Sequence, residues 1–127
     1  MSEPRVLIVD DNPMNVDLVT FVLGAAAFAV ASAADAGSAA LQVTAFRPEL
    51  ILMDIQMPGV DGLELTRRLK ADPATQHIVV VAVTAYAMKR DEARLRAAGC
   101  DGDIAKPINL ATFAWEVRRY LLPRSPA

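Results

Sequence analysis

Apolar residues along this chain fall into short runs separated by longer segments in which apolar and polar positions recur at helical spacing. Val6–Val9 is apolar throughout and too short for a helix, as expected of a strand covered on both faces. Arg5–Val9 is therefore predicted as the first strand. Asp11 or Asn12 can cap the helix that follows, with Pro13 in its first turn, where a missing N–H is harmless. Phe28–Ser32 reads as a second strand and Gly37–Phe46 as a helix stopped by Pro48. Leu50–Met53 is the third strand, and Asp61 opens a helix to about Ala71. Ile78–Val83, rich in β-branched residues, is the clearest strand. A helix from about Met88 to Ala98 ends at Gly99, and Asp101–Ala105 is the last strand. Asn109 caps a final helix to Leu122, and residues 123–127 form a frayed tail.

Strands alternating with helices of this length imply a parallel sheet with right-handed crossovers. The expected class is α/β, a flavodoxin-like (βα)5 three-layer sandwich with strand order 2-1-3-4-5. In that order the first and third strands are neighbours where the winding reverses, and ligands bind outside the carboxyl ends there. Asp10, Asp11 and Asp54 then become close neighbours.

Composition narrows the picture. The chain has 127 residues, 54% of them hydrophobic and 22% charged, which fits one globular domain with a core over residues 5–122. A net charge of −2, without basic clusters interleaved with aromatics, argues against nucleic acid as a partner. One cysteine, Cys100, excludes an internal disulfide and a cysteine-based zinc site. The 17 residues between Asp17 and Asp35 carry no charge, yet fall short of a membrane span. Asp10-Asp11 arrives too early for a signal peptide. These features together lead to the expectation of a cytoplasmic protein that does not associate with membranes.

The polar residues that follow the apolar runs carry the candidate chemistry. Asp10, Asp11, Asp54, Thr84 and Lys106 each stand just after a predicted strand, so one sheet rim would gather three carboxylates, a hydroxyl and an ammonium. Like charges about 4 Å apart repel by about 4 kcal/mol at an effective dielectric near 20, so such acids need a cation. Magnesium suits them, because it takes one or two carboxylates, keeps waters and accepts phosphate oxygens. Asp10-Asp11 alone could be a strand end and a helix cap. Asp54 is harder to explain that way, because a charge inside Leu52-Met53-Asp54-Ile55 is costly if buried without a partner. His77, the single histidine, opens a strand and is read as structural, so a phosphoryl donor must be another molecule.

Val6-Leu7-Ile8-Val9-Asp10-Asp11-Asn12, Leu50-Ile51-Leu52-Met53-Asp54-Ile55-Gln56-Met57-Pro58, Val83-Thr84-Ala85 and Ala105-Lys106-Pro107-Ile108 resemble, in this order and spacing, the response-regulator receiver domain of two-component signalling. The resemblance covers about Arg5 to Leu122. It is greatest to small stand-alone receivers of the DivK cell-cycle type and to receivers attached to hybrid histidine kinases. It implies that Asp54 is the phosphoacceptor, with Asp11, Asp54 and the backbone carbonyl of Gln56 on Mg²⁺ and Asp10 assisting through water. It further implies that Thr84 and Lys106 contact the phosphoryl oxygens, with backbone N–H groups near Met57 and Ala85 as further donors. A histidine kinase or histidine phosphotransferase would be the donor, and a downstream protein the reader. The expected state is a monomer or a phosphorylation-dependent dimer, with a cis peptide at Lys106-Pro107. Catalysis is expected to be limited to self-phosphorylation from phosphodonors and slow autodephosphorylation.

The chain departs from the pattern at Asp103, where receivers commonly carry Tyr or Phe; Tyr86 or the helix after it is the expected substitute readout. Met14, Asn15 and Leu18 on the first helix are candidates for contact with the donor. Leu110, Phe113, Ala114, Val117 and Leu121 form one stripe on the last helix, with Trp115 displaced from it. An aspartyl-phosphate phosphohydrolase of the haloacid-dehalogenase kind would want an Asp-x-Asp pair and a cap insertion, whereas Asp10 and Asp11 are adjacent. A phosphate-independent binding module has Asp103 as its one hint. P-loop and dinucleotide-binding readings lack their glycine patterns.

Overall fold

A computed structural model describes residues 3–55, 62–84, 89–106 and 108–121. Its elements are β1 (Arg5–Val9), α1 (Pro13–Ala25), β2 (Ala29–Ala33), α2 (Ala36–Phe46), β3 (Leu50–Asp54), α3 (Gly62–Ala71), β4 (Val79–Thr84), α4 (Lys89–Ala98), β5 (Gly102–Ala105) and α5 (Phe113–Leu121). The strands are parallel in the order β2-β1-β3-β4-β5, as the strand–helix alternation predicts. No described helix is long and apolar enough to cross a membrane.

Packing explains the layers. Val6, Ile8, Leu50, Leu52, Val81 and Val83 face one side of the sheet, where Val19 and Leu23 of α1 and Phe113 and Val117 of α5 bury against them. Leu7, Val9, Ile51, Met53 and Val80 face the other side, under Ala39 of α2 and Leu65 and Leu69 of α3. Leu95 and Ala98 of α4 pack with Leu63 and Ala82 on that second side. Strands buried on both faces explain why the sequence shows unbroken apolar runs rather than alternation.

Boundaries shift by a residue or two where turns compete with the ladder. β2 starts at Ala29 rather than Phe28, because the Phe28 amide donates to the Leu23 carbonyl at 3.0 Å and closes the end of α1. Ala27 makes that closure in the left-handed region, at φ 69°. β4 starts at Val79 because the Ile78 amide is held by Thr75 O. Asn12 is the α1 cap, its side-chain oxygen accepting from the amides of Met14 and Asn15. Asn109 caps a turn before α5 rather than the helix itself: Oδ1 accepts from the Ala111 amide, and its carbonyl accepts from Thr112 and Phe113. Leu110 therefore lies ahead of the helix and is 53% exposed, off the buried stripe where helical spacing puts it. Trp115 is exposed, its ring lying under the Arg119 guanidinium.

Register positions the rim. Val9 pairs with Met53, so the next residue on each strand, Asp10 and Asp54, comes level. Asp54 pairs with Val83 and Thr84 with Ala105, which sets Thr84 and Lys106 at the same end of the sheet.

Candidate functional site

Each acid reaches the rim through a local device. The Asp10 amide donates to the Ala33 carbonyl at 3.0 Å, extending the β1–β2 ladder by one bond and fixing where the side chain leaves the strand. Asp10 Oδ1 accepts from the Asn12 amide at 2.9 Å, and the same Asn12 caps α1. Asp10 and Asp54 are buried, at 7% and 5% exposure, whereas Asp11 is exposed.

Asp10, Asp11 and Asp54 each bring a carboxylate oxygen within 4.8 Å of the others. Lys106 Nζ lies 3.4 Å from Asp54 Oδ1, and the Lys106 amide donates to the Thr84 carbonyl at 2.8 Å. Thr84 is buried at the carboxyl end of β4. Burial pushes the Asp10 carboxyl above its ordinary value of 3.8; the Asn12 amide opposes this, the Asp54 charge adds to it and the Lys106 charge opposes it. Carboxylates gathered this closely repel one another, and hard oxygen donors at this spacing fit a divalent cation such as magnesium.

The structure thus brings together Asp10, Asp11, Asp54 and Lys106, and places Thr84 at the adjoining strand end. Gln56, Met57, Ala85, Tyr86 and Pro107 lie outside the described residues, as do the carbonyl ligand, the cis peptide and the substitute readout expected of them. Asp103 is exposed on β5. His77 is exposed ahead of β4, at the opposite end of that strand from the rim residue Thr84. Burial pushes the Cys100 thiol up, and the side chain packs beside the buried residues of α3 and α4.

Gly62, which the sequence reads as part of a tight turn with Gly59, instead opens α3 and packs on the end of β3, a contact that the sequence does not reveal. A Cβ there would lie 2.9 Å from the Asp54 carbonyl and 3.2 Å from Met53 Cγ, so α3 packs against the end of β3 only because this side chain is absent. Its signal in the sequence is a glycine opening a helical segment shortly after the Asp54 strand.

An acid cluster and a lysine stand at the carboxyl rim of a 2-1-3-4-5 sheet, and residues 6–118 match the response regulator receiver domain, the family to which the chain belongs. It is a receiver domain of two-component signal transduction. Among curated relatives, the polar-differentiation response regulator DivK of Brucella anthropi is 43% identical over 116 residues, covering 91% of this chain and 94% of that protein. The receiver domain of a sensor histidine kinase from Pseudomonas aeruginosa, solved with magnesium in its active-site cleft, aligns with a TM-score of 0.83 at 28% identity. That alignment covers 94% of this chain and 98% of the other. A CheY-like receiver from Methanospirillum hungatei aligns with a TM-score of 0.85 at 28% identity, covering 94% of each.

Proposed function

We propose that the Asp54 carboxylate accepts a phosphoryl group from a phosphohistidine on a histidine kinase or histidine phosphotransferase, and that the phosphorylated form changes its binding to a downstream protein. The observation that carries this reading is a nearly buried carboxylate with two acid neighbours within 4.8 Å and an ammonium 3.4 Å away. Acids in such a cluster serve a cation; Asp11 and Asp54 would hold magnesium, with the Gln56 carbonyl, and Asp10 would assist through water. Bound magnesium would offset the negative charge of the acids and of the incoming phosphoryl oxygens.

An Asp54 oxygen forms the new bond to phosphorus as the bond from phosphorus to the donor imidazole breaks, and the imidazole nitrogen keeps the electron pair. Lys106 sets a positive charge beside the acceptor, where the added phosphoryl oxygens need it. Thr84 supplies a hydroxyl at the next strand end. Water then returns the aspartyl phosphate to the carboxylate slowly, so turnover stays far below that of a phosphatase.

We read the chain as a stand-alone regulator acting in the cytoplasm, as a monomer or a phosphorylation-dependent dimer; the DivK relative, matched over 94% of its length, supports the stand-alone part of that reading. Incubation with acetyl phosphate and magnesium, followed by intact-mass measurement, tests the reading. One labile phosphoryl adduct is expected on the wild type and none on Asp54→Asn. An adduct on the asparagine variant, or none on the wild type, would reject Asp54 as the acceptor.

A further inference from the structure

Exposed apolar bulk gathers on one face of the molecule. Among the described residues, the exposed large apolar side chains are Met14, Leu18 and Phe21 on α1, Leu110 ahead of α5, Trp115 on α5, and Leu41 alone on α2. Met14, Leu18 and Phe21 recur at helical spacing, and Leu18 and Leu110 line one cavity, so α1 and α5 share an apolar strip. We propose that this strip binds a second copy of the chain, α1 of each copy lying against α5 of the other, and that the dimer competes with the phosphohistidine donor. The competition rests on the reading of Asp54 as phosphoacceptor; the self-association does not.

The strip extends beyond what phosphoryl transfer requires. A donor must cover the rim, where α1 begins just after Asp10 and Asp11. Phe21 stands roughly 12 Å further along that helix than Pro13 and is 76% exposed, and Trp115 is 60% exposed on α5. Reaching Asp54 uses neither ring. Exposed apolar surface of this extent marks a contact face.

Charge favours a second copy as its occupant. Asp17 is the only charged residue of α1, whereas α5 carries Arg118 and Arg119 against a single Glu116. A two-fold axis running between the two helices sets each α1 against the other copy's α5, so Asp17 meets the arginine side rather than another acid. The Arg119 guanidinium lies 4.9 Å from the Trp115 ring centroid, at the border of the strip. Arg118 donates to the Ala26 carbonyl at 2.7 Å and lies over the Phe28 ring, tying α5 to the end of α1. The helices therefore present a preformed face, which lowers the ordering cost of association. Side chains of this size offer on the order of 100 Å² each, a large share of the ~800 Å² per partner in a standard interface.

Trp115 is the only tryptophan, so its fluorescence reads the interface directly. As wild-type concentration rises from low to high micromolar, the mass by sedimentation equilibrium should approach twice that of the chain. Trp115 emission should move to shorter wavelength along the same curve. Phe21→Glu should weaken association on the order of a hundredfold, because each change counts twice across a two-fold. Asp17→Arg should weaken it on the order of tenfold, and adding Arg119→Asp should restore it. Transfer from a phosphohistidine protein should slow as the wild type dimerises but not in Phe21→Glu, while acetyl phosphate labels both at one rate. Monomeric mass with fixed emission throughout overturns the proposal, as does a dimer that Phe21→Glu leaves intact. Failure of the double exchange to restore binding overturns the pairing of α1 with α5. Emission that moves only when the phosphohistidine protein is added would give the strip to the donor and overturn self-association. Transfer indifferent to dimerisation overturns the competition. An adduct missing with every donor while the dimer persists would reject Asp54 as acceptor and leave the self-association standing.

Discussion

Lys106 Nζ stands 3.4 Å from Asp54 Oδ1, an ion pair that joins the end of β5 to the end of β3 across β4. The carboxylate is nearly buried and the lysine about one-quarter exposed, so the pair is screened less than a surface pair. Lys106→Met keeps the side-chain length and removes the charge, so Asp54, beside Asp10 and Asp11, loses this ammonium. The metal-free protein should lose about 1–2 kcal/mol in urea unfolding at neutral pH, below the cost of breaking a fully buried pair. Magnesium should bind more tightly to the same variant, because the lysine repels the incoming cation. Weaker magnesium binding in a titration would show that Lys106 shapes the acids rather than balancing them.

Gly62 acts through the backbone. An alanine Cβ would press on the Asp54 carbonyl and on Ile55 Cα at 2.9 and 3.1 Å, and neither can swing aside as a flexible side chain would. Gly62→Ala should cost about 1–3 kcal/mol in overpacking. It should also slow adduct formation on Asp54, because the strain falls on the strand that aims this side chain. Normal phosphorylation with lowered stability would confine Gly62 to packing.

Asp10 links charge to pH. Burial raises its folded carboxyl above the ordinary 3.8, so between those values the native state holds a proton that the unfolded chain has lost. Metal-free stability should therefore fall as pH rises from 3.8 through the raised folded value, then level off with respect to this group. Magnesium needs the ionised acids, so its affinity should weaken as pH falls through that same raised value. Asp10→Asn keeps an oxygen that can accept from the Asn12 amide and deletes the penalised charge. It should stabilise the metal-free protein by about 1 kcal/mol at neutral pH and weaken magnesium binding. Thermal melts with and without chelator across mildly acidic to neutral pH measure both effects; destabilisation without metal would contradict the assigned charge penalty.

The strands were readable because their covered faces leave apolar runs such as Val6–Val9, and Asn12-Pro13 announces the first helix by cap chemistry. The acid cluster followed from topology, since the 2-1-3-4-5 order puts Asp10 beside Asp54 once β1 pairs with β3. Features that depend on tertiary contact were less legible. Leu110 fits the α5 stripe by spacing, but the Asn109 turn holds it outside the helix and exposes it. The Phe28 amide bonds back to Leu23, which delays β2 by one residue. Gly62 and the Lys70–Asp101 pair answer to partners that local patterning does not reveal.

That last pair anchors the end of the sheet opposite the acids. Lys70 Nζ donates to the Ile78 carbonyl at 2.7 Å and to Asp101 Oδ2 at 2.8 Å, joining residues 31 apart in sequence. The same Asp101 oxygen accepts from the amide of Val80, a residue with no exposure, at 2.8 Å. Asp101→Ala would leave that amide without this acceptor and remove the carboxylate from a half-buried lysine, so it should cost about 2–4 kcal/mol. Asp101→Asn keeps an acceptor for Val80 and loses only the charge, so its cost should be near 1 kcal/mol. Because the pair lies at the amino ends of β4 and β5, magnesium affinity and adduct formation on Asp54 should match the wild type in both variants wherever they remain folded. A change in magnesium affinity in Asp101→Asn would reveal coupling between the two ends of the sheet, which the short-range contacts of Lys70 and Asp101 do not provide.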